Sequence, residues 1–85
     1  MSGAMDIETL AGHLLLARKL ARDIADLVER RRATLILLER SGSDVDEARH
    51  RLNVSEELQR MIWRDKEQLE KEFQELLPKR QTGQQ

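Results

Sequence analysis

The chain has 85 residues, which is enough for one domain at most. Charged residues make up 36% of it and aromatic residues 2%, a balance typical of long helices and coiled coils rather than of mixed folds. The formal net charge of −1 provides no overall field to attract nucleic acid or an anionic membrane, and the lack of cysteine excludes disulfides and thiolate metal sites.

The two ends of the chain carry little structural information. Residues 1–5 lack the charged and apolar regions of a signal peptide and read as a vector-derived remnant or a disordered start. At the other end, the polar residues 78–85 are expected to be a disordered tail. The longest apolar runs, Leu14–Ala17 and Leu35–Leu38, are far shorter than the roughly 20 residues of a membrane-spanning helix. These observations predict a cytoplasmic protein.

A first amphipathic helix is predicted over about residues 6–40. Its apolar residues recur as the a and d positions of a coiled coil do. This repeat consists of Leu10, Leu14, Ala17, Ala21, Ile24, Val28, Leu35 and Leu38. A second apolar stripe, Leu20 and Leu27, lies beside the first at g positions. Together the two stripes make an apolar face that is too wide for one partner helix.

A turn over residues 41–43 separates this helix from a second one, predicted over about residues 44–77. Gly42 adopts positive φ without strain and is therefore predicted to end the first helix. Ser43 or Asp44 is predicted to cap the second helix.

Two helices of nearly equal length on a tight turn predict an antiparallel, coiled-coil-like hairpin. With the turn centred on Gly42, residues whose numbers add to about 84 lie side by side, which places Trp63 opposite Ala21. A large residue opposite a small one allows the helices to interdigitate, so Trp63 is expected in the core. The predicted hairpin seam on the second helix consists of Ile62, Trp63, Leu69 and Phe73.

The structural alternative is a three-helix monomer. The segment Asn53–Ser55 has weak helical propensity, and either of its end residues can cap a new helix. A break there would let the last part of the chain fold back over the apolar face.

The first helix is more apolar than the second, so its surplus apolar face needs another cover. We expect two hairpins to bury this face in a homodimeric four-helix bundle, or another helical protein to dock on it. The predicted interface consists of Leu14, Leu20, Ile24, Leu27, Val28, Leu35 and Leu38.

One pair of residues resembles a metal-binding pattern. Glu47 and His50 share a helix face, and with a glutamate from the other helix, here Glu39, they match the ligands of di-iron bundles. The flanking Arg49 and Arg51 oppose a cation, so we predict no metal and no other cofactor.

Arginines of both helices are expected to form a basic belt around the middle of the hairpin, as phosphate binding requires. The belt consists of Arg30, Arg31, Arg32, Arg49 and Arg51. Acidic neighbours dilute it, and no aromatic residue lies within it to stack on bases. Arg31, at a d position, can instead extend its aliphatic stem over the seam.

The sequence contains no nucleophile with a suitably spaced base, no glycine-rich phosphate loop and no zinc-hydrolase motif. We therefore predict no enzymatic activity and no small-molecule substrate. The favoured function is protein–protein interaction through the apolar face of the first helix, as an adaptor, regulator, chaperone-like or oligomerisation domain. The alternative is a small dimeric regulator that binds nucleic acid with the arginine belt.

Overall fold

A computed structural model describes residues 6–77, which form two α-helices, α1 over Ile7–Ser41 and α2 over Asp46–Leu76. The two helices pack against each other, and no strand occurs in this range, so the predicted all-α hairpin is confirmed. The segments interpreted as an irregular start and a tail, residues 1–5 and 78–85, lie outside the described residues. Neither described helix combines the length and the apolar character that crossing a membrane requires.

Helix α1 is capped at both ends by local chemistry. At its start, Asp6 Oδ1 accepts a hydrogen bond of 2.7 Å from the backbone N–H of Thr9, which satisfies one of the free amides of the first turn. At its end, Gly42 has φ 74° and the next amide, that of Ser43, donates back to the Leu38 carbonyl at 3.1 Å. The predicted helix-ending role of Gly42 matches this geometry.

Helix α2 begins later than the sequence indicates. Its N-cap is Val45, which makes no side-chain capping bond, rather than Ser43 or Asp44. Asp44 Oδ1 instead accepts from the Asp46 amide at 3.0 Å. A carboxylate that bonds two residues ahead closes a turn within the loop, so the expected cap at Ser43 or Asp44 is wrong.

The predicted alternative of a third helix is also wrong, because α2 continues unbroken through residues 53–55. Ser55 is 1% exposed, and its hydroxyl donates to the Arg51 carbonyl one turn earlier at 2.8 Å. This bond satisfies the hydroxyl inside a continuous helix and removes its tendency to act as a cap.

The core lies along the seam between the helices. Six residues of the α1 repeat are buried: Leu10, Leu14, Ala17, Ala21, Ile24 and Val28. The α2 side of the seam keeps the same spacing but passes through polar residues. Its buried or half-buried positions are Val45, Ala48, Leu52, Ser55, Gln59, Ile62, Lys66, Leu69 and Phe73. These polar seam positions explain why α2 shows no regular heptad repeat when only its apolar residues are counted.

The register of the hairpin differs from the predicted one. Three ion pairs cross the seam, and the residue numbers in each of them add to 88 rather than 84. The reason is the longer loop, residues 42–45, which moves the midpoint of the turn toward α2.

Trp63 lies at the edge of the seam instead of inside it. Its side chain is 44% exposed and lines a shallow groove with Ala21 and Ala25. The Lys66 ammonium lies 3.9 Å from the ring centroid and covers one side of the indole. The expectation that Trp63 is a core residue therefore does not hold in this hairpin.

Candidate interaction face

Each side of the seam has a distinct chemistry. On one side, the interhelical ion pairs are Arg18–Glu70 at 3.3 Å, Arg32–Glu56 at 3.0 Å and Glu39–Arg49 at 3.4 Å. Their α1 members and their α2 members are each separated by multiples of seven, so all six residues lie on one face, which we call the ion-pair face. The hydrogen bond to Glu56 raises the pKa of the Arg32 guanidinium above its ordinary value.

The pairs on this face are partly exposed, and such pairs contribute only about 0–1 kcal/mol each. Their main effect is to select the alignment of the two helices. They also leave the ion-pair face well hydrated, which makes it a poor surface for burial against another protein.

The opposite side of the seam is the apolar face. It consists of two stripes whose members are seven residues apart, with apolar neighbours beside them. The α1 stripe is His13, Leu20, Leu27 and Thr34; the α2 stripe is Arg51, Leu58, Asp65 and Glu72; the neighbours are Leu16, Val54 and Met61. Within residues 6–77, no interhelical ion pair crosses the seam on this face.

The apolar face leaves large side chains in contact with solvent. Leu20 and Leu58 are each 44% exposed, Leu16 is 57% exposed and Met61 is 58% exposed. Toward the end of the hairpin away from the turn, an open groove of about 260 Å³ runs between the helices. It is lined by His13, Leu16, Ala17, Leu20, Ile62, Asp65 and Leu69. Exposed leucine and methionine side chains grouped on one face in this way are a feature of interaction sites.

Three of the residues predicted for the interface are inaccessible to any partner. Leu14, Ile24 and Val28 are 3%, 5% and 1% exposed, because the hairpin buries its own a and d positions. Leu35 is half-buried and packs against the central cluster formed by Ile24, Val28 and Leu52, and Leu38 is also half-buried. The prediction of these residues as a partner surface is therefore corrected: they hold the two helices of one hairpin together.

The other predicted interface residues lie on the apolar face. Leu20 is exposed, and Leu27 is half-buried against the central cluster. The sequence reasoning missed the contribution of α2, namely Leu58 and Met61. Hydrophobic periodicity gives no signal for these residues, because the positions seven residues before and after Leu58 are the charged Arg51 and Asp65.

The predicted seam residues of α2 are divided. Ile62, Leu69 and Phe73 are half-buried at seam positions, and Ile62 packs against the central cluster. Trp63 belongs to the ion-pair face, because it lies seven residues after Glu56.

The arginines of the predicted belt do not converge on one site. Arg31 donates to the hydroxyl of Ser55 and, at 2.9 Å, to the carbonyl of Arg51. Each of the other engaged arginines forms an ion pair: Arg32 with Glu29 and Glu56, Arg49 with Glu39, and Arg51 with Glu47. Arg30 is exposed. Because acidic partners already occupy these guanidinium groups, the belt presents little concentrated positive charge to a phosphate backbone.

The residues of the metal-like pattern also have other partners. Glu47 pairs with Arg51 at 2.7 Å, and Glu39 pairs with Arg49 at 3.4 Å. Within residues 6–77, no group of three or more histidine or carboxylate side chains is arranged to hold a metal ion.

Comparison of the chain with protein-family models, curated proteins and solved structures gives no match in any of the three. The contrast between the two faces of the hairpin is therefore the main indication of function.

Proposed function

We propose that the protein is a protein–protein interaction module that associates through its apolar face, with a second hairpin as the partner, to form a four-helix bundle. One observation supports this proposal above all. The interhelical ion pairs of the described chain are on one face, whereas the exposed side chains of Leu16, Leu20, Leu58 and Met61 lie together on the opposite face.

The thickness of the hairpin supports the same proposal. The molecule measures 14 Å in its thinnest dimension, which corresponds to a single layer of helices. Stable domains normally bury an apolar helix face between two layers. Within residues 6–77, the central buried cluster consists of Ile24, Val28 and Leu52, with Leu27, Leu35 and Ile62 half-buried against it. A second layer would supply the burial that one copy lacks.

The energetic scale is appropriate for self-association. Burying a half-exposed leucine or methionine contributes on the order of 1–2 kcal/mol. A two-fold interface uses the same face of both copies, so every side chain counts twice. Several such side chains reach the scale of the association cost, which is about 4–15 kcal/mol. In the bundle the ion-pair faces point to solvent, as expected for an adaptor or oligomerisation domain.

The test is a pair of double substitutions that add the same charge to different faces. We expect Leu20→Glu with Leu58→Glu to abolish association, because both side chains belong to the apolar face. The matched control is Leu15→Glu with Ile36→Glu, whose side chains are 65% and 47% exposed but lie outside the apolar face. Sedimentation equilibrium measures the association constant, and circular dichroism confirms that both variants remain helical.

The control variant should associate like the unmodified protein. Equal loss of association in both double variants would show that the apolar face has no special role, and unchanged association of the Leu20 and Leu58 variant would reject the proposed interface.

A further inference from the structure

We infer that the two hairpins of the proposed bundle pack with their turns at opposite ends, so that Arg51 of each copy pairs with Glu72 of the other. This inference rests on the proposed function and specifies the geometry of the same face. It follows from how charge is distributed along that face.

The half of the apolar face near the turn carries a small net positive charge. Arg30, Arg31 and Arg51 lie on or beside the face there, and Asp44 and Glu47 are the acidic residues among them. Both carboxylates line an open groove at this end together with Arg31 and Arg51. Because two carboxylates accompany three guanidinium groups, the turn half carries a net positive charge.

The half of the face near the free helix ends is acidic. It is formed by the helix stretches around Leu16 and Leu69. Its acidic residues are Asp65, Glu72 and Glu75, together with Asp23, which pairs with Lys19 at 2.6 Å. Asp65 lines the apolar groove of this end directly. The face as a whole therefore has a positive half and a negative half.

This charge separation distinguishes the two possible two-fold arrangements. With both turns at the same end, α1 covers α2 of the other copy, so Glu72 faces the α1 stretch around His13 and Arg51 faces the stretch around Thr34, and neither meets a residue of fixed opposite charge. With the turns at opposite ends, each cationic half covers an acidic half. Opposed charges of this kind select the orientation of an interface, because the other alignment leaves them without a partner of opposite charge.

The apolar stripe of α1 also fits this arrangement. With the turns at opposite ends, α1 lies against α1 of the second copy in reverse direction, and the Leu20 and Leu27 side chains of both copies meet around the two-fold axis. With the turns at the same end, α1 lies against α2 of the second copy, and Leu20 lies near Asp65 instead. The first pairing buries the α1 leucines against each other, and it places Leu58 rather than Leu20 beside the Asp65 carboxylate of the second copy.

Arg51 and Glu72 are suitable residues for testing the contact between the two copies. They are separated by 21 residues of one continuous helix, about 31 Å, so they cannot pair within one hairpin. Arg51 pairs with Glu47 in an exposed intrahelical bridge, with its side chain 62% exposed. Glu72 accepts a hydrogen bond of 2.9 Å from Gln68. Neither partner is committed to a buried contact, so both can reorient toward a second copy.

The first arm of the test is a charge swap. We expect Arg51→Glu and Glu72→Arg each to weaken the dimer about tenfold, since each substitution affects two symmetric ion pairs. The combination of both substitutions should restore the dissociation constant to within about threefold of the original. The matched control combines Glu72→Arg with Arg60→Glu. It makes the same two charge changes, but residue 60 lies outside the apolar face. This control should not restore the affinity of the dimer.

The second arm is a distance. The chain contains no cysteine, so Ser43→Cys provides a single attachment site for a spin label in the loop. Turns at opposite ends of the bundle lie about 50 Å apart, the length of α1, whereas turns at the same end lie within about 25 Å. Pulsed electron paramagnetic resonance separates these two distances.

The outcomes are distinct. A single-hairpin mass for the labelled protein would reject the proposed function, and the inference with it. A dimer with a short distance between labels, or a dimer whose charge swap gives no rescue, would overturn the opposed arrangement alone. A long distance together with rescue by the swap supports it.

Discussion

Arg31 of α1 donates a hydrogen bond across the seam to the hydroxyl of Ser55, a residue of α2 that is 1% exposed. The Ser55 hydroxyl in turn donates to the Arg51 carbonyl, which also accepts from Arg31 at 2.9 Å. The result is a closed polar network inside a mostly apolar seam. Such a network favours one alignment of the two helices, because a shift of one turn would separate the half-buried Arg31 guanidinium from both of its acceptors.

Replacement of Ser55 tests the contribution of this network. In Ser55→Ala, Arg31 loses one acceptor but keeps the Arg51 carbonyl, so we expect the free energy of unfolding to fall by about 1 kcal/mol. Urea denaturation at one fixed protein concentration measures the change, since stability and association are linked. The control Ser43→Ala alters an exposed loop residue and should change stability by less than about 0.5 kcal/mol. Equal stability of the two variants would contradict a structural role for Ser55.

Two glycines should respond to the same substitution with opposite signs. Gly42 has φ 74°, and a side chain there would meet no atom within 4 Å, so the cost of Gly42→Ala is backbone strain of about 1 kcal/mol. Gly12 lies within α1 and also has free space around it, so Gly12→Ala should stabilise the protein by about 0.5–1 kcal/mol. Thermal denaturation of both variants measures the difference. Stabilisation by Gly42→Ala would contradict the left-handed turn.

The cap of α1 should make stability depend on pH. The hydrogen bond from the Thr9 amide lowers the pKa of Asp6 below its ordinary value. A carboxyl group whose pKa is depressed by folding stabilises the folded state at pH values above the unfolded pKa, and this contribution is lost as pH falls through the folded pKa. Asp6→Ala should therefore destabilise the protein at pH 7 and have little effect in strong acid.

The variant Asp6→Asn separates the charge from the cap. Asparagine keeps a capping oxygen but does not titrate, so its stability relative to the unmodified protein should improve as pH falls. Denaturant titrations of the three proteins from pH 7 to pH 2 provide the comparison. A constant difference in stability between the unmodified protein and the Asp6→Ala variant across this range would exclude an ionised cap.

The sequence predicts α1 better than α2 for a physical reason. The seam of α1 is apolar at Leu10, Leu14 and Ile24, so burial and hydrophobic periodicity coincide there. The seam of α2 includes Ser55 and Lys66, which are buried or half-buried through hydrogen bonds and aliphatic stems. A count of apolar residues cannot recognise such positions.

The register error has a similar origin. Gly42 correctly marks the end of α1, but nothing local reveals that the loop extends to Val45. The extra loop residues shift the partner of every α1 residue by about one helical turn. Trp63 itself is outside the core because it lies seven residues after Glu56 on the ion-pair face, a position that the expected register could not reveal.

The candidate site was predictable in part. The stripe of Leu20 and Leu27 follows from spacing alone. Spacing alone does not show which a and d residues remain accessible to a partner, because that depends on which of them α2 covers. Leu14 and Val28 are consumed by the hairpin itself, whereas Leu58 and Met61 on α2 remain exposed.

The mass of the unmodified protein in solution is the measurement to make before any other, by light scattering after size exclusion across a hundredfold range of concentration. Burial of the apolar face between two copies predicts a mass of about 20 kDa, twice the 9.9 kDa of the chain, with dissociation only at the lowest concentrations. A mass of 9.9 kDa over the whole range would contradict self-association through this face.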